Sequence, residues 1–356
     1  MQKDFHFYAI YVLCRCNGMS AKDSKTVAYA SQYTDDSRDN GELCFTDGCY
    51  FMPVLTAHEQ IHINVFEERT QHMIYVPFHF IPGADGDSLH DLTRCRKNSE
   101  KARKIVKEAK CLRGKPYQLH RLGIALHSYA DTWSHDGFSG LRSDLNDIRD
   151  LKVDNKGVNR TFGDRIWQKL AEATIEKIGH VEAAHFPDVP YHKWSCEFKY
   201  RSDAIDRENW LEYQEACEAI YRVLDDFLGD EGNRKYRTDN TIPWDHISSK
   251  LTSLFTMRGR LSQRCNNWKS QINDSELGFK CLPHEKDLSY DPKEWFEKAV
   301  LKKKPKIKGG EINPRPEYSM NETFQESNWK YFHYAAESHR FFVLRELLPE
   351  KGIICG

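Results

Sequence analysis

Residues 122–135 read LGIALHSYADTWSH, an apolar run that ends in histidine and aspartate side chains. His127, Asp131 and His135 follow one another at intervals of four residues, so on a helix each is rotated by only about 40° from the last. The three side chains therefore share one face, and the apolar run before them predicts that this face is buried. Because a buried carboxylate is costly unless it is paired or bound to a metal, two interpretations stay open: a divalent metal site and a hydrogen-bonded Asp–His cluster.

The composition predicts a folded protein around this helix. With 356 residues, of which 39% are hydrophobic and 29% charged, the chain is typical of globular proteins and long enough for about two domains. Helical periodicity recurs along the chain, at residues 5–14, 20–33, 99–112, 117–134, 164–179, 206–228, 244–261, 292–301 and 321–348. No series of strands is convincing. We therefore predict an all-α fold, a multi-helix bundle with long irregular loops.

A cluster of turn-forming residues, GDEGN at 229–233, marks the predicted boundary between two regions. Residues 1–230 are predicted to form a helical metal-binding domain, which is the candidate catalytic part. Residues 231–356 are predicted to form a C-terminal helical region that contains a basic linker at 301–310. The last helix of this region, 321–348, is expected to pack back on the first domain.

Charge and hydropathy exclude several classes of protein. Lysine and arginine total 52 against 53 aspartates and glutamates, and the resulting net charge of -1 argues against binding to duplex DNA. The longest apolar runs fall far short of the ~18 residues of a membrane-spanning helix, so no integral membrane segment is expected. Eleven scattered cysteines without a recognisable secretion signal predict reduced thiols and a cytoplasmic protein. The oligomeric state stays open.

Further candidate metal ligands come from several predicted elements, as a zinc site requires. His6 lies in the first buried helix. Asp35 and Asp36 follow the helix that begins at the capping-box sequence SAKD, residues 20–23, and two carboxylates at that end oppose the helix dipole unless a cation compensates them. His79 lies in a short apolar segment between two prolines. The remaining candidates, at the end of a later predicted helix, are His180, Glu182 and Asp188.

The order of these residues resembles that of the superfamily of zinc-dependent phospholipases C and single-strand nucleases. The shared order is an early His, an Asp after the second helix, a His in an irregular segment, the His-x-x-x-Asp helix and a later His with a carboxylate: His6, Asp35 or Asp36, His79, His127 with Asp131, and His180 with Glu182 or Asp188. Blocks at 30–33, 77–83, 127–140, 179–180 and 187–188 more closely resemble an uncharacterised bacterial family of unknown function that is distantly related to those enzymes. This closer resemblance covers residues 1 to about 228 and the closing helix, whereas residues 231–320 resemble nothing known to us.

The resemblance implies an all-α fold that binds one to three zinc ions, or another divalent metal, and hydrolyses phosphodiester bonds in phospholipids, nucleotides or single-stranded nucleic acid. We choose Asp131 as a ligand that bridges two ions. One site is completed by His127, by His79 and by Asp35 or Asp36, and His135 belongs to another with His180. A water that bridges such ions loses its proton near neutral pH, and Asp35 or Asp36 could accept it.

Departures from the superfamily bear on the number of metal ions. Its enzymes use the amino group of a processed N-terminal tryptophan as a zinc ligand, whereas this chain begins Met-Gln-Lys, so that ligand is expected to be missing. Asp131 and His135 are closer in sequence than in the phospholipases, and Ala184 stands where a carboxylate would follow His180. A site with one or two metal ions is therefore also open.

Two other functions fit the same residues. One is a non-catalytic helical scaffold with a structural metal site, which would be closed, whereas a catalytic site keeps a position for water. The other is a phosphohydrolase of the HD type, in which the adjacent pair His135 and Asp136 would bind the metal with His127 and a distant Asp. Neighbouring residues point 100° apart on a continuous helix, which weakens the HD interpretation.

Overall fold

A computed structural model describes residues 1–38, 41–57, 68–154, 183, 186–286, 288–303 and 317–355. The α-helices are α1 (Ile10–Cys16), α2 (Ala21–Asp36), α3 (Glu68–Thr70), α4 (Leu89–Leu92), α5 (Glu100–Cys111), α6 (Gln118–Ser134), α7 (Asn209–Gly229), α8 (Trp244–Thr256), α9 (Leu261–Asn273), α10 (Glu294–Ala299) and α11 (Asn328–Phe341). Three π-helical segments adjoin them: Asp4–Ala9 precedes α1, Gln71–His79 follows α3, and Phe342–Leu347 follows α11.

The strands are β1 (Leu43–Cys44), β2 (Tyr50–Phe51), β3 (Ile148–Val153), β4 (Lys193–Phe198), β5 (Ala204–Glu208), β6 (Val300–Lys303) and β7 (Glu317–Met320). Within the described residues they form three antiparallel sheets, β1–β2, β3–β4–β5 and β6–β7. Short 3-10 turns lie at Asp144–Asn146, Phe186–Asp188, Arg234–Tyr236, Pro283–Glu285, Phe324–Glu326 and Pro349–Lys351.

These sheets show that the predicted all-α fold is wrong, and the protein is mixed α/β. In β4 the apolar residues Trp194, Cys196 and Phe198 are buried and alternate with more exposed polar ones, which is the period of a half-buried strand. Six residues are a short run, and β4 is stabilised by pairing with β3, some 40 residues earlier. The hydrophobic periodicity of one segment does not reveal which distant segment it pairs with. The helix predicted from residue 206 accordingly begins at Asn209, after β5.

Helix α6 lies at the centre of the fold. Nearly all its residues are buried, and it packs against α2, α5, α7, α11 and the π-helix Gln71–His79. The approach to α2 is close because residue 123 is glycine: a Cβ atom there would lie 2.4 Å from the Val27 carbonyl oxygen and 2.7 Å from Ala30 Cβ. Helix α2 begins as predicted, with Ser20 Oγ accepting the Asp23 N–H at 3.1 Å. The two helices therefore hold their C-terminal residues close together.

The C-terminal end of α6 is capped by the guanidinium group of Arg207, from β5. Its Nη1 donates to the carbonyl oxygens of Trp133 at 2.9 Å and Ser134 at 3.2 Å, and its Nη2 donates to that of Asp136 at 3.2 Å. A cation at this position satisfies carbonyls that the helix leaves unpaired. The three-stranded sheet thus fixes the end of α6 that carries His135.

The main hydrophobic cluster includes residues from both predicted regions, such as Leu13 and Ile220 from the first and Trp268 and Trp329 from the second. Helix α11 packs against α6 and α10. The division of the chain near residue 230 stays a prediction. Within the described ranges, every helix is too short or too polar to cross a lipid bilayer.

Replacement of Gly123 by alanine tests the contact between α2 and α6. The added Cβ would meet the backbone of α2, so we expect Gly123→Ala to lower the free energy of unfolding by about 1–3 kcal/mol, the usual cost of overpacking. Urea denaturation measures this change. Gly229→Ala is the matched control, because Gly229 ends α7 with no atom within 4 Å of its would-be Cβ. Equal effects of the two variants would contradict the close approach.

Candidate metal centre

Seven acidic and imidazole side chains and one amino group meet beside the C-terminal half of α6. We call them the His–Asp cluster, and its members are His6, Asp35, His79, His127, Asp131, His135, Asp188 and the α-amino group of Met1. They come from the N-terminal segment, the end of α2, the π-helix Gln71–His79, α6 and the 3-10 turn Phe186–Asp188. Residues far apart in sequence therefore converge on one face of α6.

Three atoms of the cluster have the mutual spacing of metal ligands, and a fourth lies slightly further out. His127 Nε2 lies 3.1 Å from His79 Nδ1 and 3.2 Å from Asp131 Oδ2, and these two atoms are 3.3 Å apart. Asp35 Oδ1 lies 3.7 Å from His127 Nε2 and 3.8 Å from His79 Nδ1. Tetrahedral zinc with bonds of about 2.05 Å places its ligand atoms about 3.3 Å from one another. We call these atoms of Asp35, His79, His127 and Asp131 the four-ligand position.

The other oxygen of Asp131 faces a second group of nitrogen and oxygen atoms, which could bind a metal once the Met1 amino group loses its proton. Asp131 Oδ1 lies 2.8 Å from the Met1 amino nitrogen and 3.1 Å from His6 Nε2. The Met1 nitrogen is 3.1 Å from Asp188 Oδ1, which in turn is 3.8 Å from His135 Nε2. We call this group the second position. Asp131 thus directs one oxygen to each position, as a bridging carboxylate does.

The sequence predicts that the N-terminal tryptophan ligand of the phospholipases and nucleases is missing, and the α-amino group of Met1 lies beside Asp131. The α-amino group of Met1 is buried, and although burial disfavours its charge, the carboxylates of Asp131, Asp188 and Asp35 raise its pKa to about 11. Burial also disfavours the charge of Asp131. The Met1 amino group and the histidines around it nevertheless keep the pKa of this carboxyl well below its usual range. Asp131 is therefore an ionised carboxylate in the protein interior.

Burial shifts the pKa values of other members of the cluster, and the net direction of the shift differs among them. It lowers the pKa of His6 well below the usual value, helped by His127, whose ring stacks on that of His6 with centroids 3.9 Å apart. It raises the pKa of Asp35. For His79 burial works against the proton, yet the nearby Asp131 and Asp35 raise its pKa. A neutral imidazole such as that of His6 is the form that binds metals.

The orientation of His79 is set by the segment before the π-helix. His79 Nε2 lies 2.8 Å from the carbonyl oxygen of Thr56, which can only accept, so the ring donates from Nε2 and directs Nδ1 to the four-ligand position. Thr56 is itself held by α2 and the residue after it, through its Oγ1–H to Thr34 O at 2.7 Å and its N–H to Ser37 O at 3.1 Å. The end of α2 therefore positions His79 as well as Asp35.

Helix α11 supports the same region with two buried histidines that the sequence analysis did not single out. His333 Nδ1 accepts the Val54 N–H at 3.0 Å, and burial lowers the pKa of His333 to about 3, so it stays a neutral acceptor. His339 Nε2 donates to Pro77 O at 2.7 Å, two residues before His79. Their spacing along α11 carries no signal for this role, since their partners come from distant segments.

Asn209 fixes the turn that carries Asp188. Its Nδ2 donates to the carbonyl oxygens of Phe186 at 2.6 Å and Val189 at 2.8 Å, with Pro187 O at 3.4 Å. Trp194 Nε1, which can only donate, is 2.9 Å from Asn209 Oδ1 and so determines which end of the amide faces the turn. Asn209 is buried, and the sequence analysis missed it because a single asparagine has no distinctive pattern.

Not every predicted ligand reaches the cluster. Asp36 turns away from it, accepting from Tyr290 Oη–H at 2.8 Å and from Gln32 Nε2–H at 3.1 Å. Asp35 is thus the member of the adjacent pair that faces the site, a choice that the sequence left open. His180 and Glu182 lie outside the described residues.

Loss of the Asn209 amide should loosen the turn that carries Asp188. Asn209→Ala leaves buried carbonyl oxygens unpaired, so we expect the free energy of unfolding to fall by about 1–3 kcal/mol and amide exchange at residues 189–192 to accelerate. Asn321→Ala is the control, because Asn321 Nδ2 donates to Lys298 O at 2.9 Å near the surface, where water can replace it. Hydrogen-exchange mass spectrometry compares the two variants. Unchanged exchange at 189–192 in Asn209→Ala would contradict this role.

Comparison with known proteins identifies a family for nearly the whole chain. Residues 1–347 match DUF6765, a family of unknown function. The matched range includes residues 231–320, for which the sequence analysis found no resemblance. No curated protein matches the chain, and no solved structure matches it. The chain therefore belongs to the DUF6765 family, whose function is unknown.

Proposed function

We propose that this protein is a zinc-dependent hydrolase of phosphodiester bonds and that the His–Asp cluster is its metal centre. The contacts of Asp131 carry the proposal, because its two oxygens face two separate sets of nitrogen and oxygen ligand atoms. Mixed imidazole and carboxylate ligands at tetrahedral spacing suit zinc. The order of these ligands along the chain, which resembles that of zinc-dependent phospholipases C and single-strand nucleases, supports the same activity.

Bound zinc would supply Lewis acidity and lower the pKa of a coordinated water. The side chains near the metal would accept the proton of this water and bind the substrate. Asp35 has 28% of its side chain exposed, more than any histidine of the four-ligand position, so it is the ligand that could give up its place to a water and accept the proton of that water. Arg38 donates from Nε to the Asp35 carbonyl oxygen at 2.9 Å and lies 3.5 Å from Asp36 Oδ1. Its side chain is 45% exposed, so the remaining donors of its guanidinium group would be available to an anionic substrate.

Two alternatives predict different results. In an HD-type enzyme Asp136 would bind the metal beside His135, but Asp136 Oδ1 accepts the Lys97 N–H at 3.2 Å and lies 3.7 Å from Arg96, away from the cluster. In a scaffold with a structural metal the site would be closed, whereas 28% of Asp35 and 20% of Asp188 are exposed. With all four ligands bound, the four-ligand position would be closed, so a catalytic site requires a water to take the place of Asp35, its most exposed ligand.

Metal content is the first test. We expect inductively coupled plasma mass spectrometry to find at least about one zinc ion per chain in protein purified without added metal. Asp131→Asn should reduce this content, because the amide cannot supply an anionic bridge. Asp136→Asn, a change of the same type five residues further on and outside the cluster, should leave it unchanged. A wild-type protein that contains no divalent metal and takes up none would refute the proposal.

The adjacent aspartates provide a matched test of catalysis. Hydrolysis of bis(p-nitrophenyl) phosphate should fall by about 100-fold or more in Asp35→Asn, the usual contribution of a general base or a metal ligand. Asp36→Asn should change the rate little, although it weakens the contact with Tyr290. Parallel assays with phosphatidylcholine vesicles, nucleotides and a single-stranded oligonucleotide identify the substrate class. A metal-loaded protein that cleaves no phosphoester would instead support the scaffold.

A further inference from the structure

Three arginines gather on the outer side of the loop that follows α6. Arg94 and Arg96 flank Cys95, whose backbone pairs with that of residues 137–138 through Cys95 N–H to Phe138 O at 2.7 Å and Gly137 N–H to Cys95 O at 3.0 Å. Arg201 comes from the turn between β4 and β5, and its Nη2 lies 3.8 Å from where a Cβ of Gly137 would be. Two distant segments therefore place guanidinium groups beside one loop. We call these residues the arginine cluster.

The guanidinium group of Arg201 is buried and lacks hydrogen bonds in the described part of the chain. Only 7% of the side chain is exposed, and among the described residues its Nε, Nη1 and Nη2 have no hydrogen-bond partner; the same holds for Arg94 Nε. Arg201 stacks on Phe198, with Cζ 3.3 Å from the ring centroid, so the plane of the group is held and its edge carries five N–H donors. Buried donors that lack acceptors cost free energy, and an anion with several oxygen atoms would satisfy them.

One carboxylate lies between two of the arginines without hydrogen-bonding well to either. Asp203 Oδ1 is 3.3 Å from Arg201 Nε, in a geometry that leaves this nitrogen without a hydrogen bond, and Asp203 Oδ2 is 3.8 Å from Arg94 Nη1. The Asp203 side chain is 41% exposed, so it can turn toward water at little cost. Asp203 thus marks the place that another oxyanion could take.

The other carboxylates near the cluster are hydrogen-bonded elsewhere. Asp91 lies 3.6 Å from Arg94, but it accepts Ser88 Oγ–H at 2.7 Å. Asp136 lies 3.7 Å from Arg96 and accepts the Lys97 N–H at 3.2 Å. Asp91 and Asp136 therefore offset part of the positive charge of Arg94 and Arg96, but they accept no hydrogen bond from either guanidinium group.

We propose that Arg94, Arg96 and Arg201 form a binding site for a phosphate dianion, free or as a phosphomonoester group, which binds when Asp203 turns aside. The four oxygens of a phosphate can accept from several planar guanidinium groups at once, and bidentate contacts of this kind favour arginine over lysine. Arg96, with 43% of its side chain exposed, lies at the rim, whereas Arg201 forms the floor. The site uses no member of the His–Asp cluster, so it does not depend on the proposed hydrolase activity.

Calorimetric titration of the full chain with inorganic phosphate tests this site. We expect saturable binding to the wild-type protein, weakened at least about tenfold in Arg94→Gln, which is the loss expected for one charge-assisted hydrogen-bonding group. Arg94→Lys should bind phosphate with an affinity between those of the wild-type protein and Arg94→Gln, because lysine keeps the positive charge but lacks the planar group of donors. Arg149→Gln is the control, since Arg149 pairs with Glu197 on the exposed face of the same sheet.

Asp203→Asn provides the opposite test. Removal of the carboxylate that competes for the arginines should strengthen phosphate binding about threefold or more. A misfolded variant would lose binding, so a gain in affinity cannot result from misfolding. Titration with glycerol phosphate separates the two sources of the anion, since tighter binding of the ester indicates a phosphorylated molecule and equal binding indicates free phosphate. The proposal is overturned if neither the wild-type protein nor Asp203→Asn binds phosphate saturably, or if Arg94→Gln binds it as the wild-type protein does.

Discussion

Among the described residues, the buried carboxylate of Asp131 contacts nitrogen atoms of Met1, His6, His79 and His127, and the rest of the site depends on these contacts. An ionised group in the protein interior is tolerated only when partners compensate it, and removal of one partner from such an arrangement commonly costs about 3–5 kcal/mol. Asp131 lies on the central helix, so the segments that supply its partners must all reach α6. This requirement links the positions of the N-terminal segment, the end of α2 and the π-helix Gln71–His79.

Most of the groups that orient the cluster act through backbone carbonyl oxygens. Thr56 O holds the ring of His79, His79 O accepts from His135 Nδ1 at 2.8 Å, and the carbonyls of the turn around Asp188 converge on Asn209. A neutral histidine that donates one ring nitrogen to a carbonyl presents the other as a lone pair. The secondary structure around the cluster therefore decides which imidazole atoms face it.

The C-terminal region contributes to the N-terminal one through buried polar contacts as well as apolar packing. Arg264 Nε donates to Asp4 Oδ2 at 2.6 Å, and Arg15 Nε donates to Glu285 Oε1 at 2.9 Å. These pairs join α9 and the turn Pro283–Glu285 to the helical segment that carries His6. Asp4, two residues before His6, is thereby committed to Arg264 and lies outside the His–Asp cluster. Contacts from the region beyond residue 231 thus help to hold the helical segment that carries His6.

The sequence by itself determined the central helix, its burial and the shared face of His127, Asp131 and His135, because spacing along a helix and an apolar run are local properties. It also indicated His6 and His79 as candidate ligands. Only the tertiary structure distinguished Asp35 from Asp36, since adjacent residues on α2 differ solely in what each faces. The strands of the three-stranded sheet, the Met1 amino group beside Asp131 and the roles of Asn209 and His339 were likewise decided by contacts between distant segments. Such contacts have no local pattern, because they depend on where the whole chain brings each donor and acceptor.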